Sequence, residues 1–161
     1  MIKRVFTQTF GVVGAIIEKG GKILLVKEAR AAAKGKWNQP AGWIEVGEDP
    51  IFSVKKEMRE ETGFDFTPTH LLGIYSLVKS AGVEGDAMHH GIKLIFVGKI
   101  SDKNMNRDLE EISEVKWFLP EEIYAMDKNT LRDPDIKQEI KDYLSGKKYP
   151  LDLLTHTVQK Q

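Results

Sequence analysis

Residues 42–64 read GWIEVGEDPIFSVKKEMREETGF, a glycine-containing acidic turn that runs into an acidic helix. The helix carries its own start and stop signals: Asp49 suits the N-cap, Pro50 the first helical position and Gly63 the C-terminal stop. Steps of three and four residues return to one side of a helix, so Glu57, Glu60 and Glu61 share a face. Ile51, Val54 and Met58 form an apolar stripe, and at about 100° per residue the three acids lie at its rim. They are therefore expected to face the preceding loop rather than open water. Carboxylates this close repel unless water screens them or a cation sits among them, and a hard cation such as magnesium takes oxygen ligands. The plainer reading of the helix alone is a solvated Glu/Lys surface, with Lys56 and Glu60 as an i,i+4 pair.

Working outward, FGVVGAIIEKGGKILLVKEA is two β-branched runs around Gly20-Gly21, the pattern of a hairpin. RAAAKGKW follows as a basic loop, with Arg30, Lys34 and Lys36. Beyond the helix, HLLGIYSLVKS and GIKLIFVGKI read as strands joined by the polar loop AGVEGDAMHH. SDKNMNRDLEE reads as a loop and ISEVKWF as a strand; Pro120 opens a short helix, and Asp133-Pro134 a last one that ends at Gly146. Strands interspersed with few helices predict an α/β fold, a mixed β-sheet sandwiched between α-helices.

The 161 residues suffice for one domain, taken as 1–146, followed by a tail, 147–161. Twenty-four basic residues balance 24 acidic ones, so no global field draws the chain to nucleic acid or an anionic membrane. The absence of cysteine excludes disulfides, thiolate catalysis and cysteine-ligated zinc. No apolar run approaches membrane-spanning length and no convincing cleavage region follows the N-terminal basic pair, so a soluble cytoplasmic protein is expected.

From Gly42 the chain runs five residues to Glu48, seven more to Lys56-Glu57, then Met58, Arg59, Glu60-Glu61, Thr62, Gly63 and Phe64. This spacing resembles the Nudix box. Its one departure is Lys56, where the family usually has arginine; an ammonium orients a neighbouring carboxylate less tightly than a planar guanidinium, so Glu57 is expected to be held more loosely. Ala41 also stands where a glycine is common, without loss of the backbone carbonyl. The preceding hairpin and the later WFLPEE at 117–122 fit the same resemblance, which covers roughly residues 8 to 145.

The resemblance implies hydrolysis of a nucleoside diphosphate linked to a further group, by attack of water at phosphorus with a divalent metal neutralising the pyrophosphate. By position it implies that Glu57, Glu60, Glu61 and the Ala41 carbonyl hold Mg2+, with Mn2+ as a substitute, and that Glu57 or a downstream glutamate activates water. Glu48 would support the helix and the metal's surroundings. Glu111 is the downstream candidate for a further ligand or base, with Glu110 and Glu114 as rivals and a solvated loop as the plain alternative. WNQPAG together with LRDP (131–134) is similar to the NudJ-type phosphatases, which implies a nucleoside di- or triphosphate substrate. Lys79 and Ser80 occupy the positions where proline or tyrosine marks other subfamilies.

Arg30 and Lys36 are candidate polyphosphate contacts, as is His90 at a strand end, although such histidines are commonly bland. Trp37, Phe6, Phe96 and Trp117 read as packing residues. Two other functions fit the residues less well. A nucleotide sensor typically loses box glutamates or carries a basic DNA-binding module, and isoprenoid diphosphate isomerisation needs an active-site cysteine; neither pattern is in this chain. The tail's Tyr149, Leu151, Leu153 and Leu154 are too apolar for a free end, so they are expected to cover either their own domain or, in a homodimer, a second subunit.

Overall fold

A computed structural model describes residues 9–30, 33–79, 89–104 and 110–159; Phe6, Ser80 and most of the loop between the two long strands lie outside the described residues. In chain order the elements are β1 (Thr9–Ile16), β2 (Glu18–Lys19), β3 (Lys22–Glu28), β4 (Trp37–Asn38), β5 (Ala41–Trp43), α1 (Pro50–Thr62), β6 (Phe64–Lys79), β7 (His89–Asn104), β8 (Ile112–Phe118), α2 (Pro120–Ala125) and α3 (Ile136–Leu144). They build two sheets. One has the order β5-β1-β7-β6 and is mixed, since β1 and β7 run parallel while the other pairs are antiparallel. In the second, β3 lies between β8 and the short strands β2 and β4.

Period-two alternation sends successive strand residues to opposite faces, and each face meets different helices. Val13, Ala15, Ile17, Leu24, Leu71 and Phe96 pack with Val54 and Met58 of α1. Ile16, Ile23, Leu25, Leu72, Ile95 and Val97 pack with Ile123 of α2 and with Ile136 and Ile140 of α3. The α/β sandwich expected from the sequence is therefore present, with the strands divided between two sheets rather than one.

The Gly20-Gly21 turn forms with φ of 61° and 78°, the left-handed pair that a two-residue hairpin requires. The hairpin is shorter than the flanking runs suggest: Glu18 and Lys19 pair with Ile23 and Lys22, and the Leu24 N–H donates to the Ile17 carbonyl at 3.0 Å. Residues before it leave for the other sheet, where β1 lies between β5 and β7. Val13 to Ile16 are all buried, and a strand covered on both faces belongs in a sheet centre.

Three boundaries differ from expectation. β6 begins at Phe64, directly after the helix stop, and accommodates Pro68 at a register irregularity where its missing N–H is tolerated. β7 extends through Ser101–Asn104, read from sequence as loop, because it pairs with that earlier start of β6. α3 begins at Ile136 rather than near Asp133, since Asp133 and Asp135 turn to ion pairs with Lys79 (2.6 Å) and Lys93 (2.9 Å). Helix α1 has the expected limits. Asp49 accepts the N–H groups of Ile51 and Phe52 at 2.8 and 3.1 Å, and Gly63 closes the helix at φ 77°.

The tail lies on its own domain. Tyr149 and Leu71 exchange backbone hydrogen bonds of 2.9 Å each way, extending the edge of β6, and Leu151 and Leu154 pack against the α1-side core. Truncation after Lys147 removes two half-buried leucines worth about 2 kcal/mol together. A lowering of the thermal midpoint by roughly 4–8 °C is expected for a chain of this size, read by circular dichroism; an unchanged midpoint would show that the tail contributes no packing.

Candidate active site

Helix α1 packs over β1, β5 and β6, and this turns the inner part of its acidic face toward the start of β5. Glu61 is buried there and accepts the backbone N–H of Ala41 at 2.9 Å. Glu57, one turn earlier, lies against Gly42, where an added Cβ would overlap its carboxylate. The glycine is needed for this close approach, and it gives Glu57 its place against the strand backbone. Glu60 remains exposed at the rim.

Glu48 accepts the Ser53 hydroxyl at 2.6 Å and the Lys56 ammonium at 2.8 Å, which ties the loop to the first turns of α1. Lys56 also lies 3.4 Å from Glu45. The lysine was expected to orient Glu57; its ion pairs instead run back to the loop before the helix. Adjacent helical positions diverge by about 100°, and long side chains lean toward the N-terminus, so Lys56 reaches Glu48 more readily than Glu57.

The electrostatics reflect this crowding. Burial, then the charge of Glu60, pushes Glu57 up to about 7, with Glu111 and Glu48 adding and Lys56 opposing. Glu61 is pushed well above the usual carboxylate range, chiefly by burial, against the Ala41 N–H; Glu28, Glu57 and Glu111 add to it. Glu111 thus belongs to the same electrostatic centre. It stands on the turn before β8, joined to β3 by the Ala29 N–H donating to its carbonyl (2.8 Å), and its carboxylate pairs with Arg30. Glu114 turns instead to Lys27, at 3.4 Å.

Glu28 escaped the reading of the sequence. It is buried at the end of β3, accepts the Asn38 amide at 3.2 Å and is paired with Arg132. The available signal was an acid continuing the spacing of the buried Leu24 and Val26. Lys36 serves the loop through its backbone, its carbonyl accepting the Glu28 N–H at 2.9 Å. His90 contacts Ser76 at 2.7 Å and sits four positions before Leu94, the β7 residue level with Val13 and Gly42. That is about 13 Å along the strand, so His90 is not brought to the acids. Trp37 is buried edge-on to Phe118 at 4.8 Å, and Phe96 is buried, as packing residues.

Among the described residues no group of three or more acidic or histidine side chains is close enough together, as they stand, to hold a metal ion. The donors are nonetheless all oxygen, and the ionised forms of Glu57 and Glu61 are disfavoured first by burial and then by neighbouring carboxylates. A hard divalent cation fits such a set, because it takes oxygen ligands and its charge favours the ionised form of both acids.

A carboxyl held above its unfolded value binds its proton more tightly in the folded state. Stability therefore falls as pH rises, over the interval from about 4.5 to about 7 for Glu57. The chelator-treated protein is expected to be less resistant to urea at pH 8 than at pH 5, and Glu57→Gln should reduce that difference. Parallel urea midpoints for wild type and variant at both pH values would contradict it.

The geometry agrees with what the chain is similar to. A family model described as NUDIX domain matches residues 6–140. Phosphatase NudJ of Escherichia coli strain K12 is 28% identical over 142 residues, 88% of each chain. Among solved structures, a NUDIX hydrolase from Nitrosomonas europaea is 35% identical with a TM-score of 0.76, covering 93% of this chain and 98% of its own. The NUDIX domain of Shewanella oneidensis NrtR, solved with ADP ribose, shares the fold at 16% identity and a TM-score of 0.63, covering 86% of this chain and 90% of its own. With its acidic helix docked on the glycine that the box requires, the chain belongs to the Nudix family and is a pyrophosphohydrolase of that family.

Proposed function

We propose that this protein is a cytoplasmic, divalent-metal-dependent pyrophosphohydrolase of nucleoside di- and triphosphates or related nucleoside diphosphate-linked compounds. The observation that carries the reading is the docking of Glu57 and Glu61 against Gly42 and Ala41, with Glu111 acting on both. The relatives support the substrate class: the Escherichia coli protein is named a phosphatase, and the Shewanella domain was solved with ADP ribose.

In this assignment Glu57, Glu60, Glu61 and the Ala41 carbonyl hold magnesium, with manganese as a substitute, and Glu111 completes the set or serves as base. Bound there, the metal supplies the positive charge that pyrophosphate cleavage needs and makes water more acidic. Glu57 or Glu111 takes a proton from the attacking water as the new bond to phosphorus forms and the bond to the leaving phosphate breaks. Glu48, gripped by Ser53 and Lys56, keeps the first turn of α1 in register with the loop. Arg30, exposed beside Glu111, and Lys36 suit the approach of a polyphosphate. His90, farther along β7, stays a candidate contact for the phosphate or base of the substrate.

Chelator is expected to abolish hydrolysis, and magnesium or manganese to restore it, in a screen of nucleotides with products identified by mass. Glu60→Gln should lower turnover by at least about a hundredfold while leaving the unfolding midpoint of the metal-free protein unchanged or raised. Full turnover without metal, or a fully active Glu60→Gln protein, would sink the reading.

A twofold dimer is part of the proposal. Ile74 and Leu153 line one groove beside the tail and are each about 60% exposed, an apolar surface suited to a second copy. Light scattering decides it, and a monomeric mass at micromolar concentration rejects it.

A further inference from the structure

The LRDP string is distant in sequence from the acidic helix but not in the fold. The turn before it is held by Asp127, which accepts the N–H groups of Asn129 and Thr130 at 3.0 and 3.1 Å. It docks on β4: the Trp37 N–H donates to the Thr130 carbonyl (2.8 Å), and the Arg132 N–H donates to the Trp37 carbonyl (2.9 Å). Leu131 is buried beside this pairing. The Arg132 guanidinium is thereby delivered to Glu28, whose same carboxylate oxygen also accepts the Asn38 amide. Three residues beyond Asn38 stands Ala41, whose N–H holds Glu61. Arg132 therefore reaches the acidic centre through one carboxylate and one short strand.

We propose that Arg132 is a positioning residue for this centre: by neutralising Glu28 and clamping it with Asn38, it fixes the β3–β4 pair that carries Ala41 to Glu61. The role rests on the function proposed above. Glu28 is buried at the end of β3, beside the short strand that leads to the Ala41 N–H holding Glu61, so its charge must be answered locally if that strand is to keep its place. The guanidinium answers it through Nη1, and the turn that carries it is anchored by backbone hydrogen bonds rather than by the metal site itself.

The test uses the full-length protein and four variants: Arg132→Gln, Arg132→Lys, Glu28→Gln and the double Glu28→Gln/Arg132→Gln. Two readouts are taken, steady-state kinetics on a nucleoside triphosphate and Mn2+ binding to the substrate-free protein by electron paramagnetic resonance. Arg132→Gln should lower kcat and weaken Mn2+ binding by at least about tenfold each, the scale of losing a group that orients metal ligands. KM should stay within about threefold, because no substrate contact is removed. The double variant should regain most of both losses, since removing Arg132 alone strands the charge of the buried Glu28 and removing both does not. Arg132→Lys should fall between, and with the double it keeps the comparison intact if Arg132→Gln folds poorly.

A raised KM with kcat preserved would overturn the role and assign Arg132 to the substrate. So would a double variant no better than Arg132→Gln. A wild type that hydrolyses no nucleotide rejects the proposed function alone, and the Mn2+ series then decides Arg132. A wild type that also binds no Mn2+ overturns both.

Discussion

A glutamate buried among other glutamates governs this structure. Glu61 has left water for a site where the backbone N–H of Ala41 is its hydrogen-bond donor and Glu28, Glu57 and Glu111 all disfavour its charge. Such an arrangement stands only if the surrounding fold over-determines it. Four separate parts of the chain do so: α1 supplies Glu57 and Glu61, β5 the Ala41 N–H, β3 Glu28 and the turn before β8 Glu111. The two-sheet arrangement is what lets them meet, because β3 and β8 belong to one sheet while β5 belongs to the other.

The opposite side of the first sheet holds a second buried ionic group of a different kind. Lys93, on β7, lies 2.9 Å from Asp135 and 2.8 Å from Glu139, and both Lys93 and Glu139 are almost wholly removed from solvent. Burial alone would favour the neutral lysine; Glu139 and Asp135 outweigh it and hold the ammonium. Here one ammonium stands between two carboxylates, and burial pushes Glu139 up to about 7, with Lys93 opposing and Asp135 adding. The cluster ties α3 to β7 and so fixes the turn that precedes α3, from which Arg132 reaches Glu28. One buried cluster thus anchors the element that steadies the other.

Much of this was legible because it is local. The spacing of Glu57, Glu60 and Glu61, the Asp49-Pro50 start and the Gly63 stop lie within a few turns of one helix, where periodicity and capping act directly. The burial of Trp37 and Phe96 followed from their chemistry. Strand extents were less legible: Pro68 and the polar Ser101–Asn104 look like breaks, yet they pair with each other's strands because a long partner was already in place.

The sequence by itself determined the acidic helix, the glycine on which it docks and the even balance of basic and acidic residues. Only the tertiary structure decided that β1 abandons its apparent hairpin for β7, that Lys56 serves Glu48 instead of Glu57, and that Glu28 and Arg132, 104 residues apart, form one pair. The reason is physical. Periodicity and caps report forces that act along the chain, whereas which carboxylate meets which cation depends on strand partners chosen across it, by burial of both faces of a sheet.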